Sequence, residues 1–224
     1  MIGSFRPRRG EESAAPALSG AILPSRPPAS RGARPITIRS RARSEIDASD
    51  PIVAELFSVE RLEQHGESLA VAQSITTQPH TGRPIRRRVA DNGRVLLQTY
   101  RMLAQAIKDE RSITPAAEWL VDNFHIVEEQ LREIRDDLPL DYYRGLPKLA
   151  GGHLEGYPRV LGVAWAYIAH TDSRFDPESL RRLVIAYQRV EPLTIGELWA
   201  IAISLRILLV ENLRRVAEQI VRSR

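Results

Sequence analysis

From Asp50 onward the apolar residues recur at helical spacing, and polar capping residues mark where each run begins. Asp50-Pro51 reads as an N-cap followed by proline at the first helical position, where its missing N–H costs nothing, so a first helix is expected from there to about Ser74. A second is expected from about Ile85 to Asp109, with the stripe Val89, Gly93, Leu96, Tyr100, Leu103 and Ile107 alternating by four and three. Thr114-Pro115 opens a third, whose stripe runs Leu120, Phe124, Val127, Leu131, Ile134 and Leu138 before Pro139 ends it. Residues 158 to about 170 are largely apolar, and Asp176-Pro177 then caps a helix bearing Leu180, Leu183, Val184 and Tyr187. Thr194-Ile195-Gly196-Glu197 matches a capping box, in which Thr and Glu each satisfy a backbone N–H left free at a helix start, and the helix it opens reaches about Val221. No strand pattern competes. The expected fold is all-α, an antiparallel bundle of about six to seven helices over residues 51–224.

Residues 1–50 break this pattern. They are rich in Arg, Pro, Ser, Ala and Gly, carry no apolar periodicity, and are expected to form a disordered tail because they cannot bury enough surface to offset the entropy of ordering. Glu11, Glu12, Pro16 and Pro24 interrupt the faint twin-arginine pattern that starts at Arg8-Arg9. The composition also suits an organellar leader or a start codon placed too far upstream.

Charge changes the functional picture once it is divided along the chain. The net charge is +4, and the first fifty residues hold nine arginines against Glu11, Glu12, Glu45, Asp47 and Asp50. The helical part is therefore balanced and has no overall basic field to attract nucleic acid. Cysteine is absent, which excludes disulfides, thiolate metal sites and thiol nucleophiles. No run approaches the roughly 20 apolar residues that span a bilayer, since Glu197 and Arg206 interrupt the best candidate.

Three constellations invite chemistry. Glu118, Asp122, His125 and Glu129 share one face of the third helix, and Asp122-x-x-His125 has the spacing of bundle metal sites, but such sites need matching ligands from a second helix and no second pair is present. A solvated face is the better reading, with Glu128 and Arg132 at i, i+4 to support the helix. Trp119, Trp165 and Trp199 could stack on sugars, but apolar neighbours favour core or interface anchors. His170, Asp172 and Ser173 have the residue types of a hydrolase triad, yet sit too close in sequence to aim at one another and read as a capped turn. No catalytic, cofactor-binding or metal-ligating residue is assigned.

Arg206 stands among Ile201, Ile203, Leu205, Ile207, Leu208 and Leu209 in a segment apolar on nearly every face. A guanidinium there must reach solvent or meet a carboxylate; the expectation is a partner from another helix, with Glu118, Asp122, Glu128 and Glu129 as the candidates, and the alternative is an exposed Arg at a bundle edge. Were that pair buried, its loss would cost roughly 3 to 5 kcal/mol.

Three long segments carry a resemblance: TPAAEWLVDNFHIVEEQLREIRDDLP from Thr114, GYPRVLGVAWAYIAHTDSRFDPESLRR from Gly156 and QRVEPLTIGELWAIAISLRILLVENLRR from Gln188. They resemble the N-terminal region of the cyclic β-1,2-glucan synthases, and with a weaker match from about Leu62 the resemblance covers most of the chain after the tail. It implies a parent protein at the inner face of the inner membrane that polymerises glucose from UDP-glucose through a transferase region set among transmembrane helices. Such transfer needs carboxylates around a divalent ion, commonly as Asp-x-Asp, and no two Asp here are spaced i, i+2. The Gln-x-x-Arg-Trp signature of processive synthases is absent as well. UDP-glucose and a divalent metal are thus expected of the intact enzyme, with no cofactor for this chain. The implied role is a noncatalytic helical module, cytoplasmic, that contacts other regions of a glucan synthase. The alternative is a free-standing helical adaptor for a protein partner.

Overall fold

The helix starts expected from capping residues hold at Thr114, Asp176 and Thr194 and fail at Asp50, an exception that shapes the molecule. The structure, a computed structural model, describes residues 50–76 and 82–222. Residues 1–49, for which a disordered tail is expected, lie outside the described residues. Among the described residues there are eight helices and one pair of two-residue strands, so the all-α class holds and the expected six to seven helices become eight. In chain order they are α1 (Val59–Ala72), β1 (Ile75–Thr76), α2 (Ile85–Lys108), α3 (Pro115–Asp122), α4 (Phe124–Asp136), α5 (Leu140–Gly145), β2 (Lys148–Leu149), α6 (Arg159–Thr171), α7 (Pro177–Val190) and α8 (Ile195–Arg222).

The exception is the start of α1. Asp50-Pro51 does not cap a helix. Ser58 does, its hydroxyl accepting from the Arg61 N–H. The preceding segment has better partners than a helix would give it. Its Ala54 and Phe57 N–H groups donate to the Ala169 and His170 carbonyls, which the end of α6 leaves without intrahelical partners. Its Ile52 is buried and donates its N–H to Asn212 Oδ1 of α8 at 2.6 Å.

The third expected helix divides at Asn123 into α3 and α4. The Asn123 amide donates to the Trp119 carbonyl, and its backbone leaves the helical basin at φ −105, ψ 12. Asparagine competes with the helix for backbone groups, which is why the break falls there. The apolar stripe continues through it, since Leu120, Phe124, Val127, Ile134 and Leu138 are all buried. The short α5 and the β1–β2 pair have no periodic signal. Ile75 pairs with Leu149 and Thr76 with Lys148 in antiparallel register. The buried Lys148 ammonium donates to the carbonyls of Tyr143, Arg144 and Leu146, satisfying the end of α5.

Residue partners show how the helices run. Gly93 of α2 packs on Leu131 of α4, Tyr100 stacks on Phe124, and the Arg86 guanidinium donates to the Leu138 carbonyl, so α2 and the α3–α4 arm form an antiparallel hairpin. The pairings α1 with α7 and α6 with α8 join helices distant in sequence, and their partners advance together. Glu63 meets Arg182 and Glu67 meets Arg189. Arg159 meets Glu197 and Trp165 meets Arg215. These two pairs run parallel, which α7 permits by returning the chain between α6 and α8. The largely apolar α6 is the centre of the core, with ten of its thirteen residues buried.

The α1–α7 contact is close because Gly66 allows it. A Cβ at Gly66 would lie 2.9 Å from the Leu183 carbonyl oxygen, and backbone cannot move aside as a flexible side chain would. We expect Gly66→Ala to lower the free energy of unfolding by about 1–3 kcal/mol in a denaturant titration.

Candidate interaction surface

Sequence reasoning missed the strongest polar groups of the fold, two buried charge clusters that fix α8. Arg159 opens α6 and Glu197 is the last member of the capping box of α8, and both side chains are almost fully buried, at 3% and 0% exposure. Arg159 Nε donates to Glu197 Oε1 at 2.5 Å and Nη2 to Oε2 at 2.9 Å, a two-pronged bond that matches the flat guanidinium to the carboxylate. The remaining donors reach the Pro192 carbonyl and Glu191 Oε1. Glu197 Oε2 also accepts from the Thr194 N–H, and Thr194 Oγ1 accepts from the Glu197 N–H, which completes the predicted capping box. Burial works to raise the Glu197 pKa, but the bonds from Arg159 and Thr194 outweigh it and the carboxyl sits below its ordinary value.

The second cluster centres on Glu211, buried between Arg88 of α2 and Arg215 one turn along α8. Arg88 Nε and Nη2 donate to its two oxygens at 2.6 and 2.8 Å, and Arg215 Nη2 donates to Oε1 at 2.7 Å. Here too burial raises the carboxyl's pKa while the two guanidinium groups lower it further than burial raises it. Both glutamates are therefore fixed as ionised acceptors.

The sequence-predicted residues lie elsewhere. Glu118, Asp122, His125 and Glu129 are all exposed, and no group of three or more His, Cys, Asp or Glu side chains among the described residues could hold a metal. Glu128 is exposed on the rim of a cleft between α2 and α4, beside Arg94, Arg132 and Arg135. Arg206 does reach carboxylates on the expected arm, but they are Glu133 Oε2 at 3.3 Å and Asp137 Oδ2 at 3.2 Å, not Glu118, Asp122, Glu128 or Glu129. Its side chain is 43% exposed. The last two turns of α4 lie against the middle of α8, and residue 206 falls on the one face of α8 that the bundle leaves open. The guanidinium buried in this helix is Arg215, which the i, i+4 spacing with Glu211 could have suggested.

That open face is apolar and regular. Ile195, Trp199, Ala202, Arg206, Leu209, Leu213 and Val216 follow at alternating spacings of four and three, which places them in one stripe along α8. Ile195 and Trp199 are 72% and 76% exposed. Beside the stripe, α7 contributes Leu180, Val184 and Ile185, and Phe175 projects at the end, enclosing a groove of about 680 Å³. Trp199 and Trp119, the latter 55% exposed, thus lie on the surface, while Trp165 is partly buried between His153 and Arg215. A sustained four-three apolar stripe with an adjoining groove is the form that receives another amphipathic helix. Arg206, held by Glu133 and Asp137, is the polar interruption in the stripe.

Comparison with known proteins agrees with the resemblance in the sequence. The chain is 41% identical over 186 residues to the cyclic β-(1,2)-glucan synthase NdvB of Rhizobium meliloti. This chain is related to the cyclic β-(1,2)-glucan synthases. The match covers 83% of the chain but 6% of that synthase, so the helical unit corresponds to one small part of a much larger protein. No protein-family model matches the chain. Among the described residues no helix is long and apolar enough to cross a membrane.

Two predictions follow from the charge clusters. Glu197→Ala leaves Arg159 buried without its main partner and is expected to cost roughly 3–5 kcal/mol, whereas Arg206→Ala removes a half-exposed pair and should cost no more than about 1 kcal/mol. Chemical denaturation of the two variants makes the comparison. Below neutral pH the dependence has one sign. His65 is held below its ordinary 6.5 by burial and by the neighbouring His170, so the fold favours its neutral form and loses stability as pH falls through that value. Glu197 and Glu211, held below 4.5, contribute stability that is complete above 4.5 and is lost as pH falls through their folded values. Melting temperature should be level near neutral pH, decline below about 6.5 and fall more steeply below about 4.5. In His65→Gln the first decline should be reduced.

Proposed function

We propose that this chain is a noncatalytic helical module of a cyclic β-1,2-glucan synthase, and that the stripe of α8 with its α7 groove docks an amphipathic helix from another region of the same enzyme. The observation that carries the reading is the 41% identity to a segment amounting to 6% of a glucan synthase, together with an exposed four-three stripe on that segment's own fold. A module so small a share of its relative has most of the enzyme outside it, and an apolar stripe bearing an exposed tryptophan is the surface by which such a part is held. In this reading UDP-glucose and a divalent ion belong to the remainder of the intact synthase, and the module sits N-terminally, at the cytoplasmic face of the inner membrane. The Asp-x-Asp and Gln-x-x-Arg-Trp signatures missing from this sequence support assigning transfer to other regions.

The test uses the purified chain and a related synthase from which the homologous segment has been removed. The chain should co-purify with the truncated synthase and raise its glucan synthesis. Leu198→Glu together with Trp199→Glu, both at exposed positions, should abolish both effects while leaving the melting temperature within a few degrees. Alone, the chain should incorporate no glucose from UDP-glucose. Incorporation above a boiled control, or rescue unaffected by the double variant, would overturn the reading.

A further inference from the structure

The segment before α1 is anchored at both ends and lightly held between them. Ile52 fixes one end, buried and bonded to Asn212, and Ser58 fixes the other as the cap of α1. Between them Val53, Ala54, Glu55 and Leu56 are exposed. What keeps this stretch in place is the end of α6, where the Ala54 and Phe57 N–H groups donate to the Ala169 and His170 carbonyls and His170 Nδ1 donates to the Glu55 carbonyl at 2.7 Å. A carbonyl only accepts, so that bond puts the proton of the neutral imidazole on Nδ1.

Three rings complete the contact. Phe57 stacks on His170 with centroids 3.8 Å apart, and His65 of α1 sets its ring against both, 5.4 Å from Phe57 and 4.7 Å from His170. A charge on His170 has support, because the Glu55 carbonyl, the face of Phe57 and the C-terminal end of α6 all favour a cation. A charge on His65 has none. Its ring nitrogens have no hydrogen-bond partner, and no carboxylate lies within salt-bridge distance of either imidazole, among the described residues.

The charged groups on the surrounding elements are engaged elsewhere. Glu55 holds Arg61 at 2.7 and 3.0 Å, and that guanidinium covers Phe57 at 4.6 Å, adding a cation to the cluster. Along α1, Glu60 and Glu63 meet Arg182 of α7 and Glu67 meets Arg189. Asp172, just past α6, is exposed and makes no ion pair among the described residues. A cleft of about 550 Å³ between α1 and α6, lined by Ala54, His65 and His170, has His153 as its one other titratable side chain. Burial and the neighbouring His170 hold His65 below its ordinary 6.5, so the closed arrangement favours the neutral ring and an opened one binds the proton.

We propose that residues 53–57 are an acid-operated strap, released from the end of α6 when His65 takes a proton beside His170. Release breaks three hydrogen bonds and one ring stack, little beside the packing of a helix, so the bundle stays folded. Because Ala54 lines the cleft, the release also opens it. The cleft shares no residue with the α7–α8 groove, and the strap stands independently of the docking proposal.

The test follows amide exchange of the full chain by NMR between about pH 7.5 and 5.5, with rates corrected for the intrinsic effect of pH. Protection of the Ala54 and Phe57 amides should fall at least about threefold across that range, with the midpoint at which the His65 ring itself titrates. Leu208, fully buried in α8, should remain at least about 100-fold better protected than either, which marks the opening as local. In His65→Gln the protection should no longer depend on pH, and in His65→Lys, which carries its charge throughout, the low value should be reached already at about pH 7.5. His153→Gln should respond as the wild type does. Unchanged protection across the range, a midpoint apart from that of His65, a response retained in His65→Gln or lost in His153→Gln, or strap amides that exchange only as fast as Leu208 would each overturn the strap.

Discussion

The bond between Arg159 and Glu197 is the constraint on which the arrangement depends. It joins the first residue of α6 to the first turn of α8, so it sets the register of the two helices at the centre of the core. Neither partner can leave without stranding the other, since their side chains are 3% and 0% exposed. Glu197 caps its own helix with the same carboxylate that binds the arginine. The start of α8 and its position against α6 are consequently one decision rather than two. The Glu211 cluster fixes the other half of α8 against α2, and between these points the helix has little freedom to rotate. Its open face is therefore presented in a definite direction.

Much of this was legible in the residues. The stripes of α2 and of the α3–α4 arm, the proline starts of α3 and α7 and the capping box of α8 all rest on local chemistry, and local chemistry is what a sequence displays. What escaped depends on partners far along the chain. Asp50-Pro51 has the composition of a helix start, yet the segment is drawn straight by the free carbonyls at the end of α6 and by Asn212. The break at Asn123 hides in a stripe that continues across it. Arg206 and Arg159 look alike in sequence, each an arginine among apolar residues, and only the packing tells which of the two is buried. Capping boxes are read as devices of one helix, so the second duty of Glu197 gave no signal.

The surface shows the same division. The three tryptophans and the carboxylates of the third helix drew attention because their residue types suggest chemistry, but their meaning lies in exposure. Trp119 and Trp199 face outward, whereas Trp165 is enclosed by His153 and the Arg215 guanidinium. The exposed stripe of α8 was hidden because nearly every position of that helix is apolar. Only after burial separates Ile203, Leu205 and Leu208 from Ile195, Trp199 and Leu209 does the four-three spacing emerge.

The bonds from Ile52 to Asn212 and from Arg215 to the Asp50 carbonyl span some of the largest sequence separations in the fold, 160 and 165 residues. They tie the first segment of the helical unit to its last helix. On a ribosome, α8 emerges after the other seven helices, so α1 and the extended segment before it wait through the synthesis of everything between. Until then the apolar α6 has no parallel partner to cover it. Because contacts of such separation form late and carry a loop-closure cost, the unit completes itself only when its final helix arrives. A chain halted before Ile195 would leave the core open to aggregation or to capture by chaperones.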